Sequence, residues 1–157
     1  MAVPKKHRRS DFMNTEESSE TIIADATEGG ASQRVREVRL GIETADVMRR
    51  FNEVFLRHDP AALIDLVAED CVIENTKPAP NGARQVGRDA CVATWTEIAT
   101  TPGTHFDLEE VFVAGSRAII RWRFCFGENE ADSIRGVNLM RVRDGLIVEA
   151  MGYVKGA

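Results

Sequence analysis

Cysteine and histidine are both scarce, with three of each in 157 residues. Cys71, Cys91 and Cys125 are odd in number, far apart and never in C-x-x-C spacing. They read as buried, reduced thiols of a cytoplasmic protein, although Cys125 shares a strand face with two arginines, the kind of field that activates a thiol. His7, His58 and His105 are scattered with no ligand-like spacing, so no metal site is expected. A basic excess is also missing: 20 Lys and Arg against 25 Asp and Glu leave a net charge of −5, which speaks against a nucleic-acid partner. No apolar run reaches the ~18–20 residues that span a bilayer. The N-terminus lacks the apolar middle of a secretory signal. A membrane partner is therefore not expected, and the expected location is cytoplasmic. Internal repeats are absent.

What is present suits one soluble domain, with 43% hydrophobic and 29% charged residues. Residues 1–40 are expected to form a disordered tail: basic "PKKHRR", then the acidic, Ser/Thr-rich "DFMNTEESSETIIADATE", then "GGAS". They hold few large apolar residues to offset the entropy of ordering. "PKKHRR" fits an anion-binding or localisation patch, but the acidic stretch beside it favours a plain solvated terminus.

Residues 41–157 carry the domain. In "TADVMRRFNEVFLRHD" Val47, Met48, Phe51, Val54 and Phe55 fall at helical spacing, with Thr44 as N-cap. A short second helix restarts at Asp59 and Pro60, with Leu63, Leu66 and Val67 as its stripe. "CVIEN" is a strand and "TKPAPNGARQVG" a loop. "RDACVATWTEIAT" is a third helix, with Val92, Trp95, Ile98 and Ala99 on one side. Four strands follow on short turns: "HFDLEEVFVAG", "RAIIRWRFCFG", "SIRGVNLMRV" and "LIVEAMGYVK". The dipeptide Asp144-Gly145 marks a hairpin between the last two. The expected class is α+β: an antiparallel sheet with helices on one face.

The stretches "FNEVFLRHDPAALIDLVAEDCVIEN", "GRDACVATW" and "RGVNLMRVRDGLIVEAMGYV" resemble the nuclear transport factor 2-like superfamily, in its SnoaL-like polyketide-cyclase and ketosteroid-isomerase branch. The resemblance covers about residues 44–155. It implies a strongly curved antiparallel sheet wrapped around three helices as a cone with an apolar pocket, and a homodimer through the other face of the sheet. It also implies a small-molecule ligand and calls for no cofactor. Ketosteroid isomerases place a general-base Asp where Asn75 stands, a protonated Asp where Asn138 stands, and a Tyr where Phe51 stands. An amide donates a hydrogen bond but is no base near neutral pH. In limonene-type epoxide hydrolases, Asn75 and Arg121 match the family's Asn and Arg. Arg123 and Gly152 replace its aspartates, however, and Ile73 its Tyr.

The resulting set is Asn75, Arg121, Arg123 and Asn138, with Phe51 and Trp95 as walls. If both arginines face inward they require anionic partners: Glu74 or Glu149 turned by a bulge, or a bound carboxylate or phosphate. The alternation of Ala118, Ile120, Trp122, Phe124 and Phe126 favours the opposite reading, with Arg121 and Arg123 outside and paired to Glu109, Glu110 or Glu149. Asn138 stands out because Asn is depleted in mid-strand. The expected function is a small-molecule pocket, either of a cofactor-free isomerase, cyclase or lyase in which Arg121 and Asn138 stabilise an oxyanion, or of a non-catalytic binding or dimerisation module. His58 reads as a surface or capping residue; for His105, at a strand start, a place on the pocket rim is the lesser reading.

Overall fold

The computed structural model describes residues 17–156, with side chains from residue 29 onward. "PKKHRR" and His7 lie outside the described residues. The chain divides into two units, Met1–Val35 and Arg36–Ala157, and the second holds the sheet and the core.

Helix α1 spans Glu17–Arg57, through much of the stretch expected to be structureless. Local propensity supports the helix over residues 34–45, because Arg, Glu, Ala and Leu dominate there and no proline interrupts them. Burial does not: Val35, Val38 and Ile42 recur at helical spacing yet are 69%, 63% and 67% exposed. Thr44 is correspondingly no N-cap but a buried residue inside the helix. From there the stripe is as expected, with Val47, Met48, Phe51, Val54 and Phe55 all buried.

The helix stops at His58, whose φ of 53° turns the chain. The His58 Nδ1–H donates to the Ala99 carbonyl at 2.8 Å, tying the end of α1 to α2. Asp59 then caps a 3-10 turn, Pro60–Asp65, by accepting from the Ala61 N–H at 3.1 Å. Strand β1 (Val67–Glu74) follows, then β2 (Arg84–Val86), α2 (Arg88–Thr100), β3 (His105–Ala114), β4 (Arg117–Cys125), β5 (Ser133–Arg143) and β6 (Leu146–Val154). Asp144 and Gly145 both have positive φ, 52° and 73°, as the β5–β6 hairpin turn requires.

The six strands form one curved, unclosed sheet in the order β2-β1-β6-β5-β4-β3. Its pairs are antiparallel except β1 with β6, which run parallel. The wholly antiparallel expectation is corrected at that one seam. Strand β2 lies within the segment read as a loop; three residues are too few to show alternation, and only pairing with β1 defines them.

One face of the sheet packs on α1 and α2, burying Ile120, Met140 and Ile147 against Phe51, Trp95 and Leu66. Cys71 and Cys91 are buried free thiols, and burial raises both above the ordinary thiol value. Among the described residues, no helix is long and apolar enough to cross a membrane.

Gly136 of β5 lies opposite Trp122 of β4. A Cβ there would come 2.5 Å from the Trp122 ring and closer still to the Tyr153 carbonyl. Gly136→Ala is expected to destabilise the domain by about 1–3 kcal/mol through overpacking. The check is a lower urea midpoint at unchanged slope.

Two surface ion pairs set the acid response. Arg143 holds Asp70 at 2.7 Å, and Arg135 holds Glu109 at 2.7 Å, so both carboxyls titrate below their ordinary values of 3.8 and 4.5. Because folding lowers these values, the stability they add is present above pH 4.5 and is lost as pH falls through the folded values. Urea midpoints between pH 6 and pH 2 should decline less steeply in Arg135→Gln/Arg143→Gln than in the wild type.

Candidate functional site

A cavity of about 290 Å³ opens between the inner face of the sheet and helices α1 and α2. Its walls follow from the periods of their elements. The 3.6-residue period aims Phe51, Phe55, Trp95 and Ile98 inward, and the two-residue period does the same for Ile73, Ile120, Trp122 and Phe124. Phe51 meets Trp95 edge-on at 4.9 Å and Phe55 at 5.0 Å; Phe55 meets Phe106 at 5.4 Å, and Phe106 meets Trp122 at 5.6 Å. This run of edge-to-face rings is the favoured aromatic geometry and gives the cavity a stiff lining.

Polar groups reach this apolar space at a few points. Asn138, opposite Ile120 on one side and Gly152 on the other, accepts the Trp122 Nε1–H on Oδ1 at 3.2 Å. With its oxygen engaged there, the Asn138 amide presents N–H groups as its remaining function. Asn52 of α1 is 9% exposed and lines the same cavity, and its Nδ2 has no hydrogen-bond partner among the described residues. Asn75 and Thr76 stand where β1 ends, and the Asn75 Oδ1 accepts the Thr76 N–H at 2.8 Å. The loop beyond is pinned by Gly82, whose φ of 73° and contact with the Asn75 carbonyl leave no room for a side chain. Glu74 and Lys77 are the titratable residues among those lining the cavity. Glu74 is engaged, its carboxylate 2.6 Å from Arg84 Nη1.

Phe51, Asn75, Trp95 and Asn138, singled out in the sequence, are thus brought together around one cavity. Arg121 and Arg123 are not. They lie on the opposite face of β4, because Ile120, Trp122 and Phe124 claim the inner one. Arg121 pairs with Glu109 at 3.2 Å and Glu110 at 3.1 Å, and Arg123 has Glu130 at 4.0 Å. Arg135 and Arg121 together draw the Glu109 carboxyl below its ordinary value. Glu149 also stays outside, 3.4 Å from both Arg117 and Arg141. No bulge carries it inward to meet the pair, and the inward-arginine expectation is corrected.

Sequence reasoning passed over Asn52, Phe106 and Trp122 as lining residues. The signal for Asn52 was available: it sits four residues from Met48, within the apolar stripe of α1, where a polar residue calls for an explanation.

The family model for the SnoaL-like domain matches residues 48–150. A nuclear transport factor 2-like protein of unknown function from Mesorhizobium loti is 68% identical, with a TM-score of 0.70, over 74% of this chain and 93% of that one. A ketosteroid isomerase candidate from Kribbella flavida is 20% identical, with a TM-score of 0.63, over 74% of this chain and 81% of that one. An epoxide hydrolase from M. tuberculosis is 14% identical, with a TM-score of 0.58, over 73% and 80%. The last two likenesses concern the fold alone. No curated protein matches. With its domain covered by that model and a close structural relative across it, the chain belongs to the SnoaL-like family of nuclear transport factor 2-like proteins.

Proposed function

We propose that the cavity binds a small, largely apolar organic molecule through a neutral oxygen acceptor, the carbonyl of a ketone, ester or lactone. The observation that carries this reading is the Asn52 amide, buried at the cavity with a donor that no group among the described residues satisfies. Such a donor costs about 1–3 kcal/mol when unmet. A ligand oxygen between Asn52 and Asn138 recovers that loss while the rings take up the apolar body. A neutral acceptor suits the site better than an anion, since Arg121 and Arg123 lie on the other face and Lys77 is the cation among the lining residues.

The site favours binding and orientation over proton abstraction. Amides supply hydrogen bonds but no base, and the carboxylate of Glu74 is committed to Arg84. A cofactor-free isomerase or cyclase would draw its base from Glu74 or Lys77, the titratable residues of the lining, and turnover of a bound ketone that survives in Glu74→Gln/Lys77→Met rules that route out.

Thermal-shift titration with small ketones and lactones, beside size-matched carboxylates, tests the binding reading by mass action. Neutral carbonyl compounds should raise the melting temperature. Asn52→Leu and Asn138→Leu should each weaken binding by about tenfold, the worth of one hydrogen bond. Arg121→Ala/Arg123→Ala should bind as the wild type does. A response confined to carboxylates and lost in the arginine variant sinks the proposal.

The outer face of the sheet carries Phe112, Ile119, Leu139 and Tyr153, each 39% exposed or more, among paired charges. We assign this face to a second copy of the chain, as the homodimer of the sequence reading requires. Sedimentation should give a dimer that Ile119→Asp/Leu139→Asp converts to a folded monomer.

A further inference from the structure

We propose that His105, Asp107 and Cys125 form a zinc-type divalent-cation site at the end of the β3–β4 ribbon, on the sheet face away from the cavity. Cys125 is 20 residues from His105 and 18 from Asp107 in sequence, and pairing brings them together: His105 stands directly opposite Cys125, and Asp107 is two residues further along β3. The two-residue period places all three on one face, while Phe106 and Phe124 between them point into the cavity.

Their ligand atoms all lie within 4.8 Å of one another. His105 Nε2 is 3.8 Å from one oxygen of Asp107, and Cys125 Sγ is 3.8 Å from the other. A tetrahedral zinc, with bonds of about 2.0–2.3 Å, separates its ligand atoms by roughly 3.3–3.7 Å. Small rotamer changes therefore close the set, and the side chains of His105 and Asp107, 57% and 55% exposed, are free to make them. Cys125 is buried on the strand and provides the fixed point.

The observed contacts do not explain the grouping by themselves. A His–carboxylate separation of 3.8 Å is too long for a hydrogen bond, and the thiol contact is weak. The chemistry of the set is selective: one imidazole, one carboxylate and one thiolate suit zinc and its neighbours, not magnesium or calcium. Three protein ligands leave the fourth position to water. Binding displaces the thiol proton, and the thiolate and carboxylate together neutralise the ion. Arg123 is the like charge nearby, opposite Asp107 in register, and its guanidinium reaches toward Glu130 instead.

Cobalt(II), added to the reduced full-length chain, serves as the probe. The expected result is one ion per chain, with thiolate-to-cobalt charge-transfer absorption. Cys125→Ser should abolish that absorption although Cys71 and Cys91 remain. His105→Ala and Asp107→Asn should each weaken binding by more than about tenfold, the upper range of losses seen even for outer partners being larger still. His7→Ala should leave binding unchanged. In parallel, zinc(II) should raise the melting temperature of the wild type and not that of Asp107→Asn, whose near-isosteric change keeps the fold. The proposal is overturned if the charge-transfer band is absent, if it persists in Cys125→Ser, or if binding survives undiminished in both His105→Ala and Asp107→Asn.

Discussion

The hydrogen bond from the Trp122 indole to Asn138 Oδ1, 3.2 Å long, ties the lining of the cavity to its chemistry. The indole reaches it because Gly136, opposite on β5, leaves the space the ring occupies. The same ring meets Phe106 edge-on and continues through Phe55 and Phe51 to Trp95. One absent side chain, one indole and one amide therefore fix the geometry of the wall. An Asn in mid-strand is otherwise free to flip; with its oxygen committed, its donors are what the cavity meets.

That commitment gives the cavity its character. Under the binding proposed above, an apolar space with amide donors and an engaged carboxylate would discriminate by shape and by the position of a hydrogen-bond acceptor, not by charge. Asn52 carries this further, because a buried donor unmet among the described residues favours admitting an oxygen. Asn75 and Asn138 bring amides to the cavity, and amides donate and accept hydrogen bonds without acting as bases near neutral pH. A fold that hosts many reactions says little about which one occurs, so the side chains at the cavity carry the argument.

Much of this was legible in the chain itself, for local reasons. The stripe from Val47 to Phe55, the Asp59-Pro60 start, α2 and the Asp144-Gly145 turn each depend on neighbours within a few residues. What escaped depends on distant partners: β2, the parallel seam between β1 and β6, and the meeting of His105 and Asp107 with Cys125. For Arg121 and Arg123 two arguments competed. The resemblance aimed them at the pocket, while the alternation of Ile120, Trp122 and Phe124 aimed them away. Alternation prevailed, since burying a Trp and a Phe on the inner face leaves no inward place for residues of the other parity. Over residues 34–45, α1 rests on local propensity, since Val35, Val38 and Ile42 stay exposed there.

The period of two also gives each strand of the β3–β4 ribbon two separate duties. Phe106 and Phe124 line the cavity from the same backbone segments that present His105, Asp107 and Cys125 outward. A cation clamping those three would hold the two strands in register at the point where both rings stand. Any preference it has for one ring arrangement becomes a preference of the cavity for its ligand, and linkage makes that effect mutual. The magnitude depends on how differently the ion binds the two arrangements; with no difference, there is no coupling. The stiffness of the edge-to-face run limits such arrangements to few, which is the condition under which a small shift at one face registers at the other.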